Sequence, residues 1–316
     1  MTRHSDTGRG PLDTVRRPLE PDRRFRSDPA RGGLLWRHLV GDYSLARSYW
    51  LHMVLLGWGL AFAAAWGLGL MAERSTARSM SIAVLVLEPL FLLVWMWSVV
   101  GTTVSALRNL FGGPSRVWGL IALVMIGLSS VASARELRKV GAALREHWAV
   151  AAGKQPTETF SVVLSADGRV IAFTGGVNDG AAAAIDKAIA AAPVVGTLLL
   201  DSPGGWLREG TRMADVVKRY RLNTRVDHEC FSACTVVLLA GENRSAGDAA
   251  LIGFHRGRSV GESRQESAAP ASREEAEIYR KAGLRDAFVA RIVATPNHSI
   301  FIPTRRELLR EDVLTR

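Results

Sequence analysis

No formal charge occurs between Trp50 and Met71. At about 1.5 Å per residue, a helix of this stretch crosses roughly 30 Å of hydrocarbon. Lipid admits only structures that satisfy their own backbone polar groups, so an uncharged run of this length commits its segment to a helix. Two further runs follow. Ile82 to Leu107 is interrupted only by Glu88 and Pro89, and Val117 to Ala134 begins after the turn residues Gly112, Gly113 and Pro114. The chain therefore reads as three transmembrane helices, 50–71, 82–107 and 117–134, in a membrane domain covering 49–134. Trp50, Trp66, Trp95, Trp97 and Trp118 lie in or beside these runs, and the lipid bilayer is the first expected partner.

The rest of the chain is read around that domain. Residues 1–48 are rich in Arg, Asp, Pro and Gly without an apolar period, which predicts a disordered basic tail. The net charge of +10 is spread along the chain rather than gathered into a basic run with interleaved aromatics, so nucleic acid is not an expected partner. Arg23, Arg24, Arg26, Arg31, Arg37 and Arg47 favour a cytoplasmic N-terminus, and three crossings then leave the C-terminal part outside. Arg135, Arg138, Lys139 and Arg145 pull the other way. Glu88, costly in lipid, faces another helix or water and is either functional, near the interface, or partnered by a polar residue such as His52.

Leu137, Val140, Ala143 and Leu144 fall at helical spacing before Gly153 and Pro156, giving a helical connector over 135–156. From 157 to 316 the pattern changes to alternating strands and helices. Phe160–Leu164 and Arg169–Phe173 flank the hairpin turn Asp167–Gly168. Gly180–Ala192 reads as a helix, Thr197–Leu200 as a buried strand, and Leu207–Tyr220 as a helix. Thr224–Asp227 follows as a strand and Ala233–Leu239 as a buried helix. This is an α/β domain of parallel βαβ crossovers.

Two segments are placed for chemistry. In Ser202-Pro203-Gly204-Gly205 the paired glycines let backbone amides approach a developing oxyanion, or simply make a tight strand-to-helix turn. In Cys230-Phe231-Ser232-Ala233-Cys234 a hydroxyl stands at a helix start, where it is a nucleophile or a helix cap. His255, at the end of the apolar strand Ala250–Phe254, can reach back to it as a base or serve only structure.

In combination these segments resemble the ClpP-like serine peptidases, of the wider ClpP/crotonase fold. The resemblance runs from Arg169 to Asp179 (Arg169-Val170-Ile171-Ala172-Phe173-Thr174-Gly175-Gly176-Val177-Asn178-Asp179), through Leu200–Gly205, Ser232 and Gly253-Phe254-His255. It ends at Pro303-Thr304-Arg305-Arg306-Glu307-Leu308-Leu309, which is similar to that family's closing helix. The cysteines around Ser232 look most like membrane-anchored, periplasmic members of a bacterial-type inner membrane. The resemblance implies a parallel βαβ spiral, a peptide or protein substrate, no cofactor, no metal, and a homo-oligomer. It implies Ser232 as nucleophile, His255 as general base, and the amides of Gly205 and Ala233 as oxyanion hole. Where the family carries an aspartate this chain has Thr295-Pro296-Asn297-His298-Ser299-Ile300, so Asn297 is the orienting candidate, with Asp286 and Asp248 as alternatives.

Other readings stay open. Cys230 and Cys234 would form a disulfide outside the cytoplasm, pack as reduced side chains, or join His228 at zinc. A Ser-Lys centre would need Lys187, Lys218 or Lys281 buried. The polar segment Arg256–Arg273 reads as a loop beside the site. A catalytically inactive peptide-binding or assembly module of the same fold is the alternative to a peptidase. A crotonase-type thioester enzyme leaves Ser232 and His255 unexplained.

Overall fold

The computed structural model describes residues 32–72, 75–113, 116–261 and 273–315. Residues 1–31 of the expected disordered tail, and most of the loop expected over 256–273, lie outside those residues. The chain forms two compact units, residues 1–57 with 95–126 and residues 58–94 with 127–316.

Among the described residues three helices are long and apolar enough to cross a membrane: Arg47–Met71, Ala77–Gly112 and Arg116–Arg135. The first winds as a π-helix over Arg47–Trp58 and continues as α2 (Gly59–Ala72). Helix α3 (Ala77–Gly112) contains Pro89. Helix α4 (Arg116–Ala151) carries the third span on into the connector without a break. The tail expected to be disordered to residue 48 differs from 32 onward. There Leu34–Leu39 forms α1, whose His38 is fully buried.

Within the first unit His38 Nδ1 lies 2.9 Å from His52 Nδ1, and Ser48 and Ser105 share a hydroxyl contact of 2.9 Å. The expected pairing of Glu88 with His52 is therefore replaced. His52 meets His38, while Glu88 acts on His147 of α4, whose pKa burial lowers below the ordinary 6.5 with Glu146 and Glu88 opposing.

In the second unit β1 (Ser161–Leu164) pairs antiparallel with β2 (Val170–Thr174) across the Asp167–Gly168 turn, so the sheet is mixed. Parallel pairing then adds β3 (Thr197–Ser202), β4 (Asn223–Phe231), β5 (Arg244–Ala246) and β6 (Leu251–Gly253). Helices α5 (Ala181–Ala191), α6 (Leu207–Arg219) and α7 (Ala233–Leu239) make the crossovers. Helices α8 (Arg273–Lys281), α9 (Asp286–Ala294) and α10 (Arg305–Arg310) follow. The core joins Ile171, Phe173, Leu198, Leu200 and Val226 from the sheet to Ile185, Met213 and Val237 from the helices, all fully buried.

Strand β4 is the element that positions the site. Its first half, Thr224–Val226, pairs with both β3 and β5. After a register shift its second half, Glu229–Phe231, pairs with β6, and Cys230 with Ser202. One strand thus serves two successive neighbours on the same side, and brings its carboxyl end level with those of β3 and β6.

Candidate active site

The carboxyl ends of parallel strands are where α/β folds bind ligands, and here three such ends converge. β3 gives way to Pro203–Trp206, β4 to Ser232, and His255 stands two residues beyond β6. The register Phe231↔Gly253 sets the last two side by side.

Ser232 occupies φ 54° and ψ −123°, and its side chain makes no capping hydrogen bond to α7. An L-residue in such a backbone region costs about 1–3 kcal/mol and persists only where its surroundings over-determine it. They do so here. The Ser232 amide donates to the Gly253 carbonyl at 2.9 Å, and the Ser232 carbonyl receives the amide and hydroxyl of Thr235 at 2.9 and 2.7 Å. The Thr235 hydroxyl lies 3.5 Å from that of Tyr279, a fully buried residue whose phenol is held well above its ordinary value by desolvation. A disulfide between Cys230 and Cys234 closes the turn, and both cysteines are fully buried. Because the disulfide consumes both sulfurs, and His228 is exposed, the zinc alternative has no thiolate donors.

Gly204 and Gly205 take φ values of 96° and 152°. A Cβ on Gly204 would lie 2.6 Å from the Phe231 carbonyl oxygen and 2.8 Å from Ser232 Cβ, and one on Gly205 would strike the Val177 carbonyl. Only glycine fits this approach. The Gly204 amide is engaged by Ser202 Oγ at 3.1 Å, whereas the Gly205 amide has no acceptor among the described residues. Ala233 opens α7, so its amide has no intrahelical acceptor either. Both residues line one cavity with Ser232 and His255.

His255 is fixed from both sides. Phe254 exchanges two backbone bonds with Phe301, at 2.9 and 2.8 Å, and the Arg256 amide donates to Thr295 at 2.9 Å. Nδ1 lies 2.8 Å from the Arg256 carbonyl. A carbonyl only accepts, so Nδ1 carries the proton and Nε2 keeps its lone pair. Burial lowers the pKa below the ordinary 6.5, with the carbonyl contact opposing. The imidazole is thus neutral near pH 7.

The orienting candidates fare differently. Asn297 lines the cavity, but the contact at His255 Nδ1 belongs to the Arg256 carbonyl. Asp286 is exposed and ion-paired with Arg280 at 2.7 Å, and Asp248 is exposed outside the cavity lining. Lys187, Lys218 and Lys281 are all exposed, which removes the desolvation a lysine base needs. Ser232 Oγ and His255 share the cavity without a hydrogen bond between them among the described residues.

The cavity holds about 600 Å³. Its other wall is the end of α4 with the turn after it, where Trp206 Nε1 donates to Gln155 at 2.9 Å. Glu146 on α4 receives Arg258 at 2.5 Å and the Gly261 amide at 2.8 Å, tying the segment after His255 to that helix. The sequence presents these α4 residues as a spacer. No residue type there signals a cavity wall, because the signal is a helix length that becomes visible only in three dimensions.

No protein-family model and no curated protein matches the chain. Among solved structures it is similar to ClpP1 from Listeria monocytogenes at 17% identity and a TM-score of 0.38. It is also similar to a point mutant of that protein at 16% identity and a TM-score of 0.37. Each comparison covers 47% of this chain and 90% of the other.

Proposed function

We propose that the chain is a membrane-tethered serine peptidase. Ser232 is its nucleophile, His255 its general base, and the amides of Gly205 and Ala233 its oxyanion hole. The observation that carries this reading is the backbone of Ser232. A serine that only caps a helix has an extended backbone and spends its oxygen on the helix amides. Ser232 does neither and is held at φ 54° by a disulfide and a hydroxyl relay. Such a turn, between a strand end and a buried helix, exposes a hydroxyl above free amides.

In the reaction Ser232 Oγ bonds to the peptide carbonyl carbon while its proton passes to His255 Nε2. The carbonyl oxygen becomes an oxyanion facing the two amides, each such donor contributing roughly 3–4 kcal/mol in comparable sites. The C–N bond then breaks, the amine leaves with the proton held by His255, and water repeats the sequence on the ester. The Arg256 carbonyl fixes the tautomer that a carboxylate fixes in Ser-His-Asp centres, with less support for imidazolium. The buried disulfide supports a location outside the cytoplasm.

One observation favours a second reading, a peptide-binding module without catalysis: no hydrogen bond joins Ser232 Oγ to His255. Catalytic contacts of this kind often tighten only with substrate bound. The full chain, in detergent or nanodiscs, is treated with a fluorophosphonate and the adduct located by mass spectrometry. Labelling at Ser232 that His255→Ala suppresses is expected. A folded wild-type protein that does not label would overturn the nucleophile and leave the binding module.

A further inference from the structure

The α4 wall of the cavity carries an unbalanced charge. Among the charged side chains that line the space, Glu146 and Arg258 neutralise one another at 2.5 Å. Glu275 receives the Gly257 amide at 2.7 Å. Arg145 and Lys154 also line the cavity, are exposed, and have no carboxylate partner among the described residues. They sit at the end of α4 and in the turn after it, so two exposed cations share a concave space with Ser232, Gly205 and Trp206.

Resting on Ser232 as nucleophile, we propose that Arg145 and Lys154 form a carboxylate-binding subsite, which makes the enzyme select peptides with an acidic group beside the bond it cuts. Both side chains are exposed, so water screens them, and what the cleft adds is that two cations face one concave space, where an anion meets both fields. The two residues differ usefully. Arg145 offers a planar fork that matches both oxygens of a carboxylate, and Lys154 a flexible point charge. The apolar Val150 and Leu207 on the same lining accommodate the rest of the residue that bears the carboxylate.

An anionic lipid headgroup is the other ligand a cation near a membrane could take. Helix α4 runs unbroken from the end of the third span at Arg135 to Arg145. Arg145 lines the cavity itself, and nanodiscs of zwitterionic lipid remove the headgroup alternative from the test.

The test uses the full chain in nanodiscs of zwitterionic lipid and four fluorogenic peptides. They differ only in Glu against Gln beside the cleaved bond, each with a free or an amidated C-terminus. One charge-assisted contact predicts kcat/KM about tenfold higher for the carboxylate-bearing peptide. The ratio should fall toward one in Arg145→Gln/Lys154→Gln, and the charge-reversed pair Arg145→Glu/Lys154→Glu should prefer a Lys peptide, an inversion that misfolding cannot produce. Preference that follows Glu assigns a side-chain carboxylate, and preference that follows the free terminus assigns the peptide end. Turnover without preference, or preference unmoved by the variants, overturns the subsite and leaves the nucleophile standing. Should no peptide be cut at all, anisotropy binding of the same peptides to full-length Ser232→Ala reads the subsite alone. A carboxylate preference there that the double Gln variant abolishes supports it, and equal binding of all four overturns it.

Discussion

On the proposed reading Ser232 holds a conformation that serves chemistry at the expense of stability, which makes the two separable by mutation. Glycine takes φ 54° without the Cβ penalty, so Ser232→Gly should stabilise the protein by about 1 kcal/mol, while Ser232→Ala keeps the strain. Both abolish fluorophosphonate labelling. A capping serine predicts the reverse, since replacing a cap by glycine or alanine costs stability. Denaturant midpoints of the three proteins decide, and a destabilised glycine variant would return Ser232 to the role of a cap. His255 supplies a second test at the same scale. Its depressed pKa means that the base stays unprotonated as pH falls below the ordinary 6.5. The acid limb of kcat/KM should therefore have its midpoint under 6.5. A midpoint above that value would mean a carboxylate partner raises the pKa in solution and would displace the Arg256 carbonyl from its role.

At the scale of elements, the strand-turn-helix unit from β4 to α7 depends on its disulfide, and the segment after His255 on its tie to α4. The disulfide closes a short loop, for which the chain-entropy estimate is about 2 kcal/mol. Cys230→Ala/Cys234→Ala should lower stability by that amount and lower kcat, because the turn that holds φ 54° is loosened; unchanged values of both would show that Thr235 and Tyr279 suffice. For the tie, Glu146 and Arg258 are about a third exposed, at 34% and 36%. A screened pair of this kind contributes no more than about 1 kcal/mol. Glu146→Gln should thus raise hydrogen exchange at Gly257–Gly261 roughly two- to fivefold, the local counterpart of 0.5–1 kcal/mol. Arg258 holds the Glu146 carboxyl below its ordinary value of 4.5, so the wild-type tie should persist through mild acid and release only below that value. Release near neutral pH would contradict the ion pair.

These elements also mark where sequence stops informing. The apolar runs, the Asp167–Gly168 turn and the buried strand at Thr197 each have a local cause, so a reader of residues meets them directly. The second half of β4 does not. Polar residues at 228 and 229 hide a strand whose partner β6 lies twenty residues further on, and expectation ended it at Asp227. The composition of α4 changes at 134, which divides span from connector in sequence, although a helix is indifferent to the polarity of its outer face. The group that orients His255 was sought among side chains, where Asn297 offered itself. A backbone carbonyl occurs at every residue and carries no signature.

The whole molecule turns on which side of the membrane the C-terminal domain occupies. Three spans put the segment between the first and second on the same side as whatever follows the third. The second unit joins those parts physically: Arg212 and Arg208 of α6 donate to the Ser75 carbonyl at 2.9 and 3.3 Å, and Arg78 donates to the Ala151 carbonyl at the end of α4, at 3.0 Å. The charges of the flanks leave the side ambiguous, since Arg37 and Arg47 precede the first span while Arg135 and Arg145 follow the last. The disulfide supports the proposed placement outside the cytoplasm, because a reducing cytoplasm would not keep it. Both native cysteines are bonded, so one introduced cysteine reports cleanly. Ser75→Cys should react with a membrane-impermeant maleimide in intact cells, and Ser44→Cys, ahead of the first span, only after permeabilisation. The reverse pattern would put Ser232 in the cytoplasm, require Cys230 and Cys234 to be reduced there, and remove the brace on which the conformation of the nucleophile depends.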